Sequence, residues 1–250
     1  MNLIKAILTK ELLYFWRYRV NALFSILFMT IICLSIIFGY GQVIGFDEGK
    51  EKSIIASFFL WMIMMLNFNT INNNISSEAT NGTLEQLYLN SSSYVLLLLY
   101  KNIIVFIINL LPIYVVVGII SVIANINIDG IFLILPIVIL GIPSIWGISL
   151  MTGGLILMFK QINTVLSASS AILFAAITYF SSKLTIFGYL IPFSKTKNLS
   201  LSILSEPYFS VEYYEYVVVL LNSVCYLTLG ILFFKFAEGY AKKNGTLGHY

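Results

Sequence analysis

A chain of 250 residues that is 59% hydrophobic and only 10% charged cannot build a water-compatible surface, which excludes a soluble globular domain. The net charge of +3 is small, so the placement of the cations carries more information than their number. With a mean hydropathy of +0.93 and several spans to accommodate, no separate ATPase or other soluble domain fits in this length.

Residues 1–19 read as an amphipathic helix lying in the membrane interface. At about 100° per residue, Ile4, Ile7, Leu8, Leu12, Tyr14 and Phe15 share one arc, and Lys5, Thr9, Lys10 and Arg17 share the opposite one. Glu11 and Arg19 break the pattern, and Leu13 and Trp16 intrude on the polar side. Trp16 and the cations suit the headgroup layer. These charges also leave no compact apolar core of the kind a cleavable signal peptide needs, so none is expected.

A membrane span needs about 20 mostly apolar residues. Six segments meet that test, roughly 21–40, 53–75, 100–124, 131–159, 164–182 and 216–237. Pro112 should kink the third, and Pro136 and Pro143 the fourth. Leu184 to Phe193 is apolar but too short to cross, so it reads as re-entrant or interfacial within the region 183–215. That region also holds the Glu206-Pro207-Tyr208 turn and the aromatic cluster Tyr213, Tyr214 and Tyr216, which fits an interfacial belt, with substrate gating as the alternative. A tight turn is expected from Asn125 to Gly130.

Six crossings put both termini on one side. With the termini cytoplasmic, nine lysines and arginines lie inside and five outside, in the sense of the positive-inside rule. This places residues 76–90 in the first cytoplasmic loop, and the short turn at Lys160-Gln161-Ile162-Asn163 in the second. Within 76–90, Thr83 and Gln86 have capping-box spacing. The short helix so begun would turn Leu84, Leu87 and Tyr88 to one face and Glu85 and Gln86 to the other.

The run Glu78-Ala79-Thr80-Asn81-Gly82-Thr83-Leu84-Glu85-Gln86-Leu87, in that loop, resembles the cytoplasmic coupling segment of type-2 ABC transporter permeases. Basic residues between the two glutamates and a proline after the motif are usual in that family. Here Ala79-Thr80-Asn81 and Asn90-Ser91-Ser92 stand in those places. Thr9-Lys10-Glu11-Leu12 with Arg17 is similar to the family's N-terminal connecting helix. The resemblance implies an all-α integral membrane fold of six transmembrane helices with a connecting helix, a coupling helix and a re-entrant element before the last span. It implies that Glu78, Gly82, Thr83, Leu84, Glu85, Gln86 and Leu87 meet the ATPase subunit, with Lys10, Glu11 and Arg17 on the connecting helix. The expected partners are cytoplasmic ATP-binding-cassette subunits, which would hold the ATP and magnesium, and a second permease copy or a paralogue. In such permeases the first and fifth spans face their counterparts, and substrate passes between them. The short connections and the asparagine- and isoleucine-rich composition resemble peptide- or drug-exporting permeases of Gram-positive bacteria.

A catalytic site is not expected in the chain. The one histidine, His249, is next to the last residue, and no acidic residue falls within the six segments. Ser167, Ser169 and Ser170 have no base nearby in sequence and suit helix packing. Cys33 and Cys225 fall in apolar runs and read as small buried hydrophobes. Without acidic residues inside the spans, ion coupling has no carrier, so the energy should come from a partner ATPase. The substrate should then be amphipathic or hydrophobic, such as a peptide or drug. A lipid-linked or glycan substrate is the alternative, and an ATP-independent scaffold or sensor is the rival from another class. Among the polar residues within spans, Asn67, Asn69 and Thr178 are candidates for a substrate path. Interhelical hydrogen bonding is the competing reading for them, as for Asn109, Asn222 and Ser35.

Overall fold

The structure, a computed structural model, describes residues 2–44, 48–90, 93–126, 130–159, 163–181, 186–205 and 211–243. Among them no strand occurs. The helices are α1 (Asn2–Arg17), α2 (Arg19–Ile44), α3 (Glu48–Thr80), α4 (Leu84–Asn90), α5 (Tyr94–Ala124), α6 (Leu135–Met158), α7 (Asn163–Ser181), α8 (Ile186–Leu190), α9 (Ser194–Ser205) and α10 (Tyr213–Lys243). Five of them, α2, α3, α5, α6 and α10, are long and apolar enough to cross a membrane. The fifth expected span corresponds to α7, whose apolar part Ala168–Ser181 is shorter.

The helices outrun their apolar windows because backbone hydrogen bonding continues past the last apolar residue. Thus α3 runs on to Thr80 and α10 to Lys243, beyond the expected ends at 75 and 237. Pro136 differs from expectation for a local reason. It occupies the first turn of α6, where its missing N–H costs nothing, so it opens the helix and does not kink it. Pro112 and Pro143 do lie inside α5 and α6.

The core is three parallel helices. On α3 and α6 the partners rise together in number: Trp146 Nε1 donates to Asn67 Oδ1 at 2.9 Å, Ser149 Oγ to the Phe68 carbonyl at 2.5 Å, and Thr152 Oγ1 to Asn72 Oδ1 at 3.0 Å. The same holds between α6 and α10, where Ser223 Oγ donates to the Gly141 carbonyl at 3.2 Å. Further along, Gly147 lies against Gly230, and Gly154 against Ala237. A Cβ on Gly147 would fall 2.1 Å from the Tyr226 carbonyl oxygen, and one on Gly230 2.2 Å from that of Gly147. Small residues let these backbones touch, as membrane helices commonly do.

Around this core α2, α5 and α7 run the other way. Lys101 near the start of α5 meets Asn74 near the end of α3, while Phe59, earlier in α3, packs on Tyr114, later in α5. On α7, Phe174 meets Trp61 and Thr178 meets Lys197 of α9. Among the described residues, α2, α3, α5, α6 and α10 thus run side by side as the long helices of the bundle, with the shorter α7 beside them. One end gathers α1, α4 and the last turns of α10; the other holds α8 and α9.

At that second end the expected re-entrant piece, Leu184 to Phe193, takes a different form. Leu184 itself lies outside the described residues. The five-residue α8 turns at Phe193, with φ of 61°, into a twelve-residue α9. The run Ser194-Lys195-Thr196-Lys197-Asn198 is wholly polar, yet Ser194, Thr196 and Lys197 are buried, as are Leu199 and Ser200 after it. Most of the polar groups are met, although the Ser194 hydroxyl has no partner among the described residues: Lys197 donates to Thr178 at 3.0 Å, Ser200 to the Thr196 carbonyl at 2.8 Å and Asn198 to the Ser181 carbonyl at 2.8 Å, and Lys195 pairs with buried Glu215 at 2.8 Å. Tyr213 and Tyr214 are exposed beside this pair.

Cys33 is buried, but Cys225 is exposed on the outer face of α10, so only one of the two is a core residue. An apolar run in a membrane is not a core position in itself, because lipid can cover it. Lys160, Lys183, Glu206, Pro207, Tyr208 and His249, and the middle of the turn after Asn125, lie outside the described residues.

Candidate functional site

The end that carries α4 is assembled from five elements. After Thr80 the chain reverses at Gly82, whose φ of 68° favours glycine. Thr83 then closes the turn: its N–H and its hydroxyl both bond to the Glu78 carbonyl, at 3.1 and 3.3 Å, and the hydroxyl also meets the Glu78 carboxylate. That hydroxyl serves Glu78, where a capping box would have it serve Gln86. In α4, Leu84 is buried, Leu87 and Tyr88 are half-buried and Gln86 is exposed. The Glu85 side chain lies outside the described residues.

Tyr88 ties α4 to the rest. Its ring packs on Tyr94 of α5 at 4.6 Å, Tyr94 on Phe234 of α10 at 6.2 Å, and the Lys242 ammonium sits 5.0 Å from the Tyr88 ring. Burial pushes the Tyr88 hydroxyl above its ordinary range, helped by the nearby Glu238 carboxylate.

The N-terminal helix docks on the same end. Ile7, Glu11 and Phe15, at four-residue spacing, are its least exposed residues, while Leu8 and Leu12 are exposed. Glu11 therefore does not interrupt the inward face but belongs to it, because Lys101 of α5 lies 3.6 Å away. Lys101 also donates to Asn74 Oδ1 at 2.5 Å, joining α1, α3 and α5. Sequence reasoning passed over Lys101 and Asn74. The available signal was a misplaced acid on α1 and a lone cation just inside an apolar run. Lys10 and Arg17 are exposed on the other face of α1.

The three path candidates are far from equivalent. Asn67 is buried and holds Trp146, besides donating to the Ile63 carbonyl at 2.8 Å. Thr178 accepts a 3.0 Å hydrogen bond from Lys197. Lys197 is only 4% exposed, its ammonium lies 5.6 Å from the Phe174 ring, and burial lowers its pKa to about 8. Thr178 and Asn69 are both exposed, but of the three only Asn69 belongs to the cavity beside α1. That cavity, of about 520 Å³, lies between α1, α2, α3 and α5. Glu11, Tyr14, Tyr18, Asn21 and Asn69 form its polar end beside α1, and Met29, Trp61, Met62, Ile113 and Val116 its apolar depth. Among the described residues no cluster of His, Cys, Asp or Glu could hold a metal ion.

The family model of the CcmB protein matches residues 2–191, which takes in α1 to α8. The chain belongs to the CcmB family. It is accordingly an ABC-type permease subunit and a multi-pass membrane protein, of a family that implies an ABC ATPase partner. No curated protein matches the chain.

Proposed function

We propose that this CcmB-family chain is the membrane half of an ATP-driven exporter, working as two copies, or with a paralogue, on two cytoplasmic ATPase subunits. The observation that carries the reading is the convergence of α1, α4 and the ends of α3, α5 and α10. A displacement of α4 would pass through Tyr88 and Tyr94 into the parallel core of α3, α6 and α10, which is tied by hydrogen bonds and glycine contacts and would move as one body. In this reading Glu78 and the residues from Gly82 to Leu87 meet the ATPase, and Lys10, Glu11 and Arg17 steady the connecting helix. The termini are cytoplasmic, α7 completes six crossings, and ATP hydrolysis takes place in the partner.

The substrate is amphipathic and largely apolar. The family points to haem, a flat apolar macrocycle with two carboxylates, ahead of a peptide or drug. Substrate would pass between two copies along α2 and α7. The outward side of α2, including Phe24, Leu27, Phe28 and Ile31, is apolar and well exposed, as a dimer face or lipid face requires.

The test is reconstitution with the ATPase subunit in lipid vesicles, with the ATP-binding side outward. ATP-dependent accumulation of haem, and ATPase activity raised by it, would support the full reading. Accumulation of a hydrophobic peptide in its place would keep the exporter and change the substrate. ATPase activity indifferent to the permease would overturn the proposal.

A further inference from the structure

The cavity beside α1 is lined on α2 by Ala22, Ser25 and Met29 and not by the outward Phe24, Leu27 and Phe28, and its shape is graded. Its polar end is at the interfacial helix, and its depth, reached through Met29, Trp61 and Met62, is apolar. Its volume of about 520 Å³ is within the range of ligand sites. The mouth is open: Tyr14, Tyr18, Asn21 and Ser25 line it and are exposed, whereas Met62, Ile113 and Val116 at its floor are buried. Tyr14 and Tyr18 belong also to a shallow groove along α1, which Lys5, Lys10 and Arg17 line with three exposed cations. The one carboxylate at the mouth, Glu11, is offset by Lys101 at 3.6 Å.

A cationic stripe joined through two tyrosines to an apolar chamber is complementary to one kind of molecule. We infer that this chain binds an anionic phospholipid from the leaflet on the α1 side, with its phosphate on the Lys5, Lys10 and Arg17 stripe and an acyl chain in the cavity. The lipid would fill the gap that α1, α2, α3 and α5 leave and fasten the interfacial helix to the bundle. A neutral phospholipid would gain only the apolar part. The exported substrate, whatever its identity, is not involved.

The test places the full-length chain in phosphatidylcholine nanodiscs with a trace of phosphatidylglycerol bearing a photoreactive acyl chain. Labelled residues are then located by mass spectrometry. Labelling should fall on the cavity depth, around Met29, Met62 and Met65, and the matching phosphatidylcholine probe should label it far less. Each cation replaced by alanine in Lys5→Ala, Lys10→Ala and Arg17→Ala should weaken labelling roughly fivefold, from the attraction of one basic residue to an anionic surface. Ala22→Trp, which fills the mouth, should abolish labelling in the depth while leaving the cations in place. Equal labelling by the two probes, or labelling indifferent to the three cations, would overturn the inference. The comparison of probes on the unaltered protein decides the matter even if Ala22→Trp fails to assemble.

Discussion

Gly147→Ala should drive α6 and α10 apart, because the new methyl carbon would stand 2.1 Å from the Tyr226 carbonyl oxygen. That atom is backbone and cannot rotate away. Ordinary contact begins near 3.4 Å, so the axes must separate by about 1.3 Å at this crossing. A gap of even about 0.5–1 Å forfeits a quarter to a half of the dispersion attraction across the contact. The 3.2 Å bond from Ser223 to the Gly141 carbonyl, two turns away on the same seam, would stretch as well. Overpacking of this kind costs about 1–3 kcal/mol, and an interhelical bond in a membrane adds roughly 0.6 kcal/mol. A loss of about 2 kcal/mol corresponds to a midpoint lowered by roughly 4–8 °C in a chain of this size. The assay is thermal unfolding in mild detergent, followed by gel filtration. Gly118→Ala and Gly239→Ala are the controls, since a Cβ there meets nothing within 4 Å. They should be neutral or stabilising by up to about 1 kcal/mol through helix propensity. If Gly147→Ala melted together with these controls, the close approach of α6 and α10 would be refuted.

Three further outcomes follow from the polar contacts. Lys197 has its pKa lowered to about 8, so its charge costs folding energy below that pH and the cost is relieved as pH rises towards the ordinary lysine range. Lys197→Met should therefore be more stable than the parent at pH 7, by up to about 3 kcal/mol. The difference should shrink between pH 8 and about 10; a gap constant in pH would exclude a charged buried ammonium. Trp146→Phe removes the donor to Asn67 and should cost about 1 kcal/mol in the same unfolding assay, with no loss when Asn67→Leu is already present. Glu11→Gln and Lys101→Met should be non-additive in a double-mutant cycle that follows proteolytic release of α1, with a coupling of about 1 kcal/mol; additivity would mean that the pair does not hold the helix.

The helical membrane architecture was legible because each long helix carries an uninterrupted apolar stretch, and that signal does not depend on packing. What surrounds those stretches was less legible. The helix over 194–205 is written largely in serine, threonine, lysine and asparagine, and nothing local shows that the Thr178 hydroxyl and Ser181 carbonyl of α7 and the Glu215 carboxylate of α10 will receive it. The inward position of Glu11 needs Lys101, which lies 90 residues away in sequence, so an arc drawn on α1 alone reads the acid as a break in the pattern. Gly82 was legible as a turn because positive φ leaves few alternatives. Asn67 and Asn69 look alike in the sequence, two positions apart on one helix. They point about 200° apart, one into the core against Trp146 and the other into the cavity. The candidate site was thus readable as a segment, but its attachment to the bundle through Tyr88, Tyr94 and Lys242 was not.

The central claim is that an ATPase subunit grips this permease at α4. It is tested most directly by cross-linking from Gln86→Cys, an exposed position on α4, in a chain with Cys33 and Cys225 replaced by alanine. Tyr213→Cys, exposed at the opposite end of the bundle, is the control. With the partner ATPase present, a short bifunctional thiol reagent should join the ATPase to position 86, more strongly when nucleotide is bound, and never to position 213. An assembled complex that cross-links from 213, or from neither position, would contradict the account.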